Sequence, residues 1–206
     1  MQPRRVGILV FPDVEVLDFC GPFEVFSVTR LDEAKRREMP GPYQVLLVAE
    51  TTEPIRASGG LRVLPDYTLA DCPPLDLLLV PGGYGTRPLL DHRPLLDWIA
   101  ERGQQAELLT SVCTGALLLG KAGLLDGRRA TTHWRSLDRM QAMFPSVTVV
   151  RDEHVIEDGR LFSSAGISAG IDLALRVVAQ HHGEDVARAT ARHMEYPYPA
   201  SNVRRI

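Results

Sequence analysis

The chain has 206 residues, 45% of them apolar, and its 23 lysines and arginines against 26 acids leave a formal charge of −3. That length and composition support one sizeable core, which excludes a disordered or low-complexity chain and leads us to expect one domain over residues 1–206. The longest apolar run is five residues, 45–49, far below the roughly 18–20 of a bilayer-crossing helix, and the basic residues form no cluster, so neither membrane insertion nor nucleic-acid binding is expected. The apolar stretch behind Arg4 and Arg5 breaks at Pro12 and Asp13 with no small-residue cleavage site after it, which makes the cytoplasm the expected location.

Short β-branched and leucine-rich runs at 6–11, 44–49, 77–81 and 107–112 predict buried strands, and a further strand is expected to end at Thr132. Their apolar residues are consecutive rather than alternating, as suits a parallel sheet covered on both faces. Helices are predicted to open at Gly21-Pro22, to span 88–102, to begin at Thr114, to follow Trp134, and to span 168–182 and 184–195. Residues 147–164 differ, because valine pairs flank charges there and Asp158-Gly159 is a two-residue hairpin signal. The pattern predicts a three-layer α/β sandwich with a mainly parallel sheet and a small antiparallel insert. Such folds place their sites beyond the carboxyl ends of the strands, so chemistry is sought after Phe11, Val80, Val112 and Thr132.

Cys113 follows a predicted strand and immediately precedes a leucine-rich helix, with the small residues Ser111 and Gly115 two positions to either side. A tight strand-to-helix turn leaves no room for larger neighbours around a projecting nucleophile. At a helix N-terminus the thiol is expected to have a lowered pKa and to be nucleophilic near neutral pH; a buried structural cysteine is the alternative. Cys20 and Cys72 lack this setting and read as structural, and the odd, widely spaced set contains no Cys-x-x-Cys pair. Asp18 stands among Val16, Leu17 and Phe19, surroundings that raise a carboxyl's pKa and suit a general acid or base, although a helix-capping role is equally open. Asp13 and Glu15 read as facing solvent.

Gly82 and Gly83 end the third strand, where Gly83 and the Thr114 N–H are candidates for an oxyanion hole; a simple turn is the alternative. His133 is either a base for Cys113 or a ring that orients a helix start beside Trp134. The remaining histidines have no partners at ligand spacing, so no metal site and no cofactor are expected.

Phe11-Pro12 with Asp18 and Gly21-Pro22, Pro81-Gly82-Gly83, Val112-Cys113-Thr114-Gly115-Ala116 and Ala130-Thr131-Thr132-His133-Trp134 together resemble the ThiJ/PfpI superfamily over nearly the whole chain. The resemblance implies a flavodoxin-like, class I glutamine amidotransferase-like fold. Within that superfamily the cysteine turn and the Thr-Thr-His-Trp string are most similar to isocyanide hydratases and to the N-terminal half of AraC-type regulators. The tail from Glu195 to Pro199 is similar to the family's C-terminal segment.

By that resemblance Cys113 attacks the terminal carbon of an isonitrile, Asp18 moves the protons, Thr114 bonds the catalytic groups, and a small-molecule isonitrile is hydrated to an N-substituted formamide. A homodimer is implied as well. Thr114 stands where proteolytic members carry His, which disfavours a Cys-His peptidase, and Asp18 stands where chaperone and glyoxalase members carry Glu. The alternatives are a stand-alone ligand- or redox-sensing domain of the AraC-regulator type, and a glyoxalase-like enzyme directed at aldehydes. Only seven residues follow Pro199, too few for a helix-turn-helix, so a regulator reading needs a separate partner chain.

Overall fold

The computed structural model describes residues 2–205. In chain order its elements are β1 (Arg4–Leu9), α1 (Val16–Val28), β2 (Tyr43–Ala49), the hairpin strands β3 (Ile55–Arg56) and β4 (Arg62–Val63), β5 (Tyr67–Thr68), β6 (Leu77–Val80), α2 (Thr86–Leu89), α3 (Arg93–Gln105), β7 (Leu108–Val112), α4 (Gly115–Lys121), β8 (Arg129–Ala130), α5 (Leu137–Met143), β9 (Thr148–Val149), β10 (Val155–Asp158), β11 (Leu161–Ser164), α6 (Ala169–His182) and α7 (Glu184–His193). The main sheet has seven strands in the order β10-β11-β7-β6-β1-β2-β5, and only β10 runs antiparallel to its neighbour. Every residue of β6 and β7 is buried, as the consecutive apolar runs require of strands covered on both faces.

From β1 the chain passes through α1 to β2 on one side, and from β6 through α3 to β7 on the other. Right-handed crossovers therefore set α1 and α3 on opposite faces. Helices α6 and α7 pack with α1, and α2 and α3 pack with α4, which completes three layers. Strands β2-β1-β6-β7-β11 reproduce the doubly wound 2-1-3-4-5 order, with the switch point between β1 and β6. Among the described residues no helix is long and apolar enough to cross a membrane.

Several expected boundaries move. β1 begins and ends two residues early, because Arg4 and Arg5 pair in register with Tyr43 and Gln44 while Phe11 accepts a turn bond from the Val14 N–H at 3.1 Å. Helix α1 starts at Val16, well before Gly21-Pro22, and carries Pro22 inside it. The dipeptide marks a helix–helix contact instead of a start: a Cβ on Gly21 would lie 2.9 Å from the Ile171 side chain of α6. The segment predicted as one helix over 88–102 divides into α2 and α3 at His92, because Pro94 lacks the N–H that would continue the first turn into the second.

The expected antiparallel insert is a β10–β11 hairpin that turns through Gly159-Arg160, one residue after the expected Asp158-Gly159 because Asp158 still pairs with Leu161, and it belongs to the main sheet because β11 pairs parallel with β7. Residues 148–149 pair instead with β8 in a separate two-stranded sheet, so the strand expected to end at Thr132 is only Arg129–Ala130 and lies outside the main sheet.

Candidate active site

The carboxyl ends of β1, β6, β7 and β11 converge on one cleft of about 340 Å³ lined by Glu15, Gly83, Tyr84, Arg87, Cys113, Thr114, His133, Arg135, Ser136 and Ile167. Two loops are stitched together beneath it. The Glu15 N–H donates to the Gly82 carbonyl at 2.9 Å, and the Gly85 N–H donates to that of Asp13 at 3.2 Å. This union brings Asp18, in the first turn of α1, under the turn that follows β6.

At the end of β7, Cys113 adopts φ 56°, a left-handed conformation that costs a residue with a Cβ roughly 1–2 kcal/mol. Its backbone is tied on both sides. The N–H donates to the carbonyls of Ala165 at 3.1 Å and Ser164 at 3.3 Å, and the C=O accepts the Thr132 hydroxyl at 2.7 Å. The turn is close-packed as its small residues predicted: a Cβ on Gly115 would lie 2.0 Å from the Val80 carbonyl oxygen. Cys20, Cys72 and Cys113 are all free, and only Cys113 stands on such a turn.

Asp18 is fully buried. Its Oδ2 accepts the Gly82 N–H at 2.8 Å, whereas Oδ1 is buried without a hydrogen-bond partner. Burial lifts the carboxyl to about 7; the Gly82 bond opposes the rise and the charge of Glu15 adds to it. The expected raised pKa is therefore present, and it does not come from capping.

The Cys113 thiol departs from expectation. Burial and then the Asp18 charge push its pKa up, while the N–H and hydroxyl of Thr114 pull it back only partly. Helix α4 is seven residues long, and its dipole does not offset loss of solvent beside a carboxylate. The resting form is the thiol, and a thiolate has to be made by handing its proton away.

Gly82, Gly83 and Thr114 do meet at the site, with a different bonding pattern from the one expected. The Gly83 N–H donates to Thr114 Oγ1 at 3.1 Å and the Gly82 N–H is held by Asp18, so neither glycine offers a free donor for an oxyanion hole. Thr114 Oγ1 also receives the Thr86 hydroxyl at 3.3 Å. His133 lines the cleft and makes no hydrogen bond to Cys113. Its Nδ1 accepts the Arg135 N–H at 3.3 Å, capping the 3₁₀ turn Trp134–Ser136, and its ring lies 5.8 Å from that of Trp134. Burial, then Arg135 and Arg204, lower its pKa and keep the imidazole neutral. Of the two readings open for His133, the geometry favours the ring that orients the turn.

Sequence reasoning missed several contributors. Glu15, read as solvent-facing, is half-buried and lines the cleft. Ile167, at φ 58°, lines it from the β11–α6 connection. Thr132, quoted only as part of a motif, holds the Cys113 carbonyl. Two adjacent threonines after a short strand were the only available signal for that bond.

A doubly wound sheet with a cysteine on a strained turn at the end of β7, beside a buried carboxyl, defines an α/β protein of the DJ-1/ThiJ/PfpI fold. Residues 4–180 match the model of the DJ-1/PfpI family, and the chain belongs to that family. It is 41% identical over 192 residues to the isonitrile hydratase of Pseudomonas putida, an alignment covering 93% of this chain and 78% of that one. It is 34% identical over 180 residues to the HTH-type transcriptional regulator CdhR of Pseudomonas aeruginosa, covering 87% of this chain and 51% of the regulator, about half its length. Among solved structures, a ThiJ/PfpI family protein from Pseudomonas syringae superposes with a TM-score of 0.83 at 32% identity, covering 98% of this chain and 79% of that one.

Proposed function

We propose that this protein hydrates an isonitrile to an N-substituted formamide, with Cys113 as nucleophile and Asp18 as the proton carrier. The observation that carries the reading is a thiol on a strained turn beside a buried carboxyl whose pKa is about 7. The 41% identity to an isonitrile hydratase supports it.

In this scheme the Cys113 proton passes to Asp18 as sulfur bonds to the terminal isonitrile carbon. Asp18 then returns that proton to the same carbon, leaving a thioimidate. Water adds to the thioimidate carbon, with one proton going to the carboxylate and on to nitrogen. Collapse of the adduct breaks the carbon–sulfur bond, releases the formamide and restores the thiol. A carboxyl with pKa near 7 suits both directions of transfer, because neither its acid nor its base form is scarce at neutral pH. The Thr114 N–H and hydroxyl, which pull the thiol's pKa down, favour the transient thiolate. The reading also carries assembly as a homodimer, which light scattering measures directly.

The test is appearance of formamide from an aryl isonitrile with wild type, Cys113→Ala and Asp18→Asn side by side. Turnover is expected to vanish with the thiol and to fall by about 10²–10⁴ with the carboxyl. Absence of turnover by folded, reduced wild type overturns the assignment.

The similarity to CdhR favours one second reading, a ligand-sensing domain. Such a domain binds its ligand whether or not Cys113 and Asp18 are present, so ligand binding retained in both variants with no turnover by wild type selects it.

A further inference from the structure

The mouth of the cleft carries two guanidinium groups from separate elements. Arg87, on α2, lies over the Tyr84 ring at 3.9 Å, and Arg135, on the turn after β8, lies over the Trp134 ring at 4.8 Å. Arg87 also makes a long bond, 3.5 Å, from Nη1 to the Tyr84 carbonyl. Among the described residues neither forms an ion pair with any carboxylate. The other charged or titratable groups lining the cleft are Glu15, Tyr84, the neutral His133 and Cys113, with Asp18 buried beneath the thiol, so at the mouth two guanidinium charges face the single carboxylate of Glu15.

Stacking holds each guanidinium by its face and leaves its edge of N–H donors free, the geometry that grips a carboxylate with two parallel bonds. The two rings are themselves exposed, Tyr84 at 71% and Trp134 at 48%, and Ile167 beside them is 39% exposed. Of these, the Tyr84 ring and the Ile167 side chain line the cleft and suit a planar or hydrocarbon body between the anionic end and the thiol, and about 340 Å³ accommodates a small aryl substrate. Building on the hydratase reading, we infer that the substrate carries a carboxylate on its substituent, held by Arg87 and Arg135 while the isonitrile carbon meets Cys113.

Two measurements separate this inference from the reading beneath it. In the first, kcat/KM is compared for 4-carboxyphenyl and 4-methylphenyl isonitrile with wild type, Arg87→Gln, Arg135→Gln and the double variant. Taking the ratio within one protein cancels general damage. We expect wild type to favour the carboxylate about tenfold and the double variant to lose that preference through KM, with part of it regained in the double lysine variant, which keeps charge but not the planar fork.

The second measurement needs no turnover: Cys113 alkylation by anionic iodoacetate against neutral iodoacetamide, read on the Cys113 peptide by mass. Its rate ratio is expected to fall several-fold in the double variant and to shrink with added salt. Turnover of the neutral isonitrile with both ratios unmoved by loss of the arginines overturns the carboxylate inference and leaves the hydratase reading standing. No turnover of either isonitrile with an alkylation ratio that falls overturns the hydratase reading and retains anion recognition at the thiol.

Discussion

Thr132→Val isolates one bond that holds the elbow. The Thr132 hydroxyl donates to the Cys113 carbonyl at 2.7 Å, and both residues are buried. Valine keeps the volume and removes the donor, leaving a buried carbonyl that water does not reach. An orphaned acceptor of this kind costs about 1–3 kcal/mol. The loss falls on a backbone already holding roughly 1–2 kcal/mol of left-handed strain at Cys113, so relaxation of the turn is a natural way to recover part of it. With a urea dependence of about 2 kcal/mol per molar, the unfolding midpoint is expected to drop by roughly 0.5–1.5 M. The alkylation rate of Cys113 and any hydratase activity should change with it, because the thiol leaves its place beside Asp18. Thr132→Ser is the control: it keeps the donor and loses one buried methyl, worth roughly 0.8 kcal/mol. If Val and Ser variants show the same alkylation rate as wild type, the bond does not position the nucleophile and the reasoning fails.

Two further perturbations probe other parts of the site. Asp18 has a folded pKa of about 7 against an ordinary 3.8, so the folded state holds the proton between those values; the stability this group contributes is full below 3.8 and is lost as pH rises through 7. Urea midpoints of wild type minus Asp18→Asn should therefore decline across that window. His154, lowered to about 4 by burial, acts with the opposite sign and cancels in the difference, and a difference curve flat with pH counts against the buried-carboxyl account. Gly115→Ala sets a Cβ 2.0 Å from the Val80 carbonyl oxygen and 2.8 Å from that of Pro81, backbone atoms that yield only if two strand ends move. A loss of at least about 3 kcal/mol in chemical unfolding is expected, with the elbow distorted, and a variant melting with wild type would show that the turn is not close-packed.

What the residues disclosed in advance was mostly local. The elbow at Cys113 is written in six consecutive residues, a buried strand meeting a helix with glycine where a side chain would strike the neighbouring strand end, and it forms as written. Asp18's raised pKa was legible from its apolar neighbours. The Cys113 pKa was not, because its direction depends on burial under loops from four other parts of the chain and on a carboxylate 95 positions away in sequence. The supposed oxyanion hole failed for a similar reason: Gly82 and Gly83 do approach the site, but their N–H groups are taken by side chains from α1 and from the turn after β7. Gly21-Pro22 misled in the other direction, since a start signal and a tight helix–helix contact use the same two residues. Glu15, Arg87 and Arg135 carry no local signature, and only the crossover topology brings them to one cleft.

The electrostatics of the pair explain why a raised thiol pKa is compatible with nucleophilic chemistry. The Asp18 charge raises the pKa of Cys113, the Cys113 thiol pulls that of Asp18 down by hydrogen bonding to the carboxylate, and both are buried, so the site holds at most one negative charge near neutral pH. That charge rests on the carboxyl, where the Gly82 N–H supports it, and moves to sulfur only as the proton moves the other way. A thiolate kept permanently in this position would be exposed to oxidation by whatever small oxidants enter the cleft. An isonitrile carbon needs a nucleophile and a proton in succession at one atom, and a neutral thiol beside a carboxylate contains both. Asp18 therefore serves turnover as the proton carrier and not by ionising the thiol: its charge raises the thiol's pKa, so the Asp18→Asn variant should lose turnover while keeping or gaining iodoacetamide alkylation of Cys113. Loss of alkylation in that variant would mean that the carboxylate charge is not what holds the thiol's pKa up.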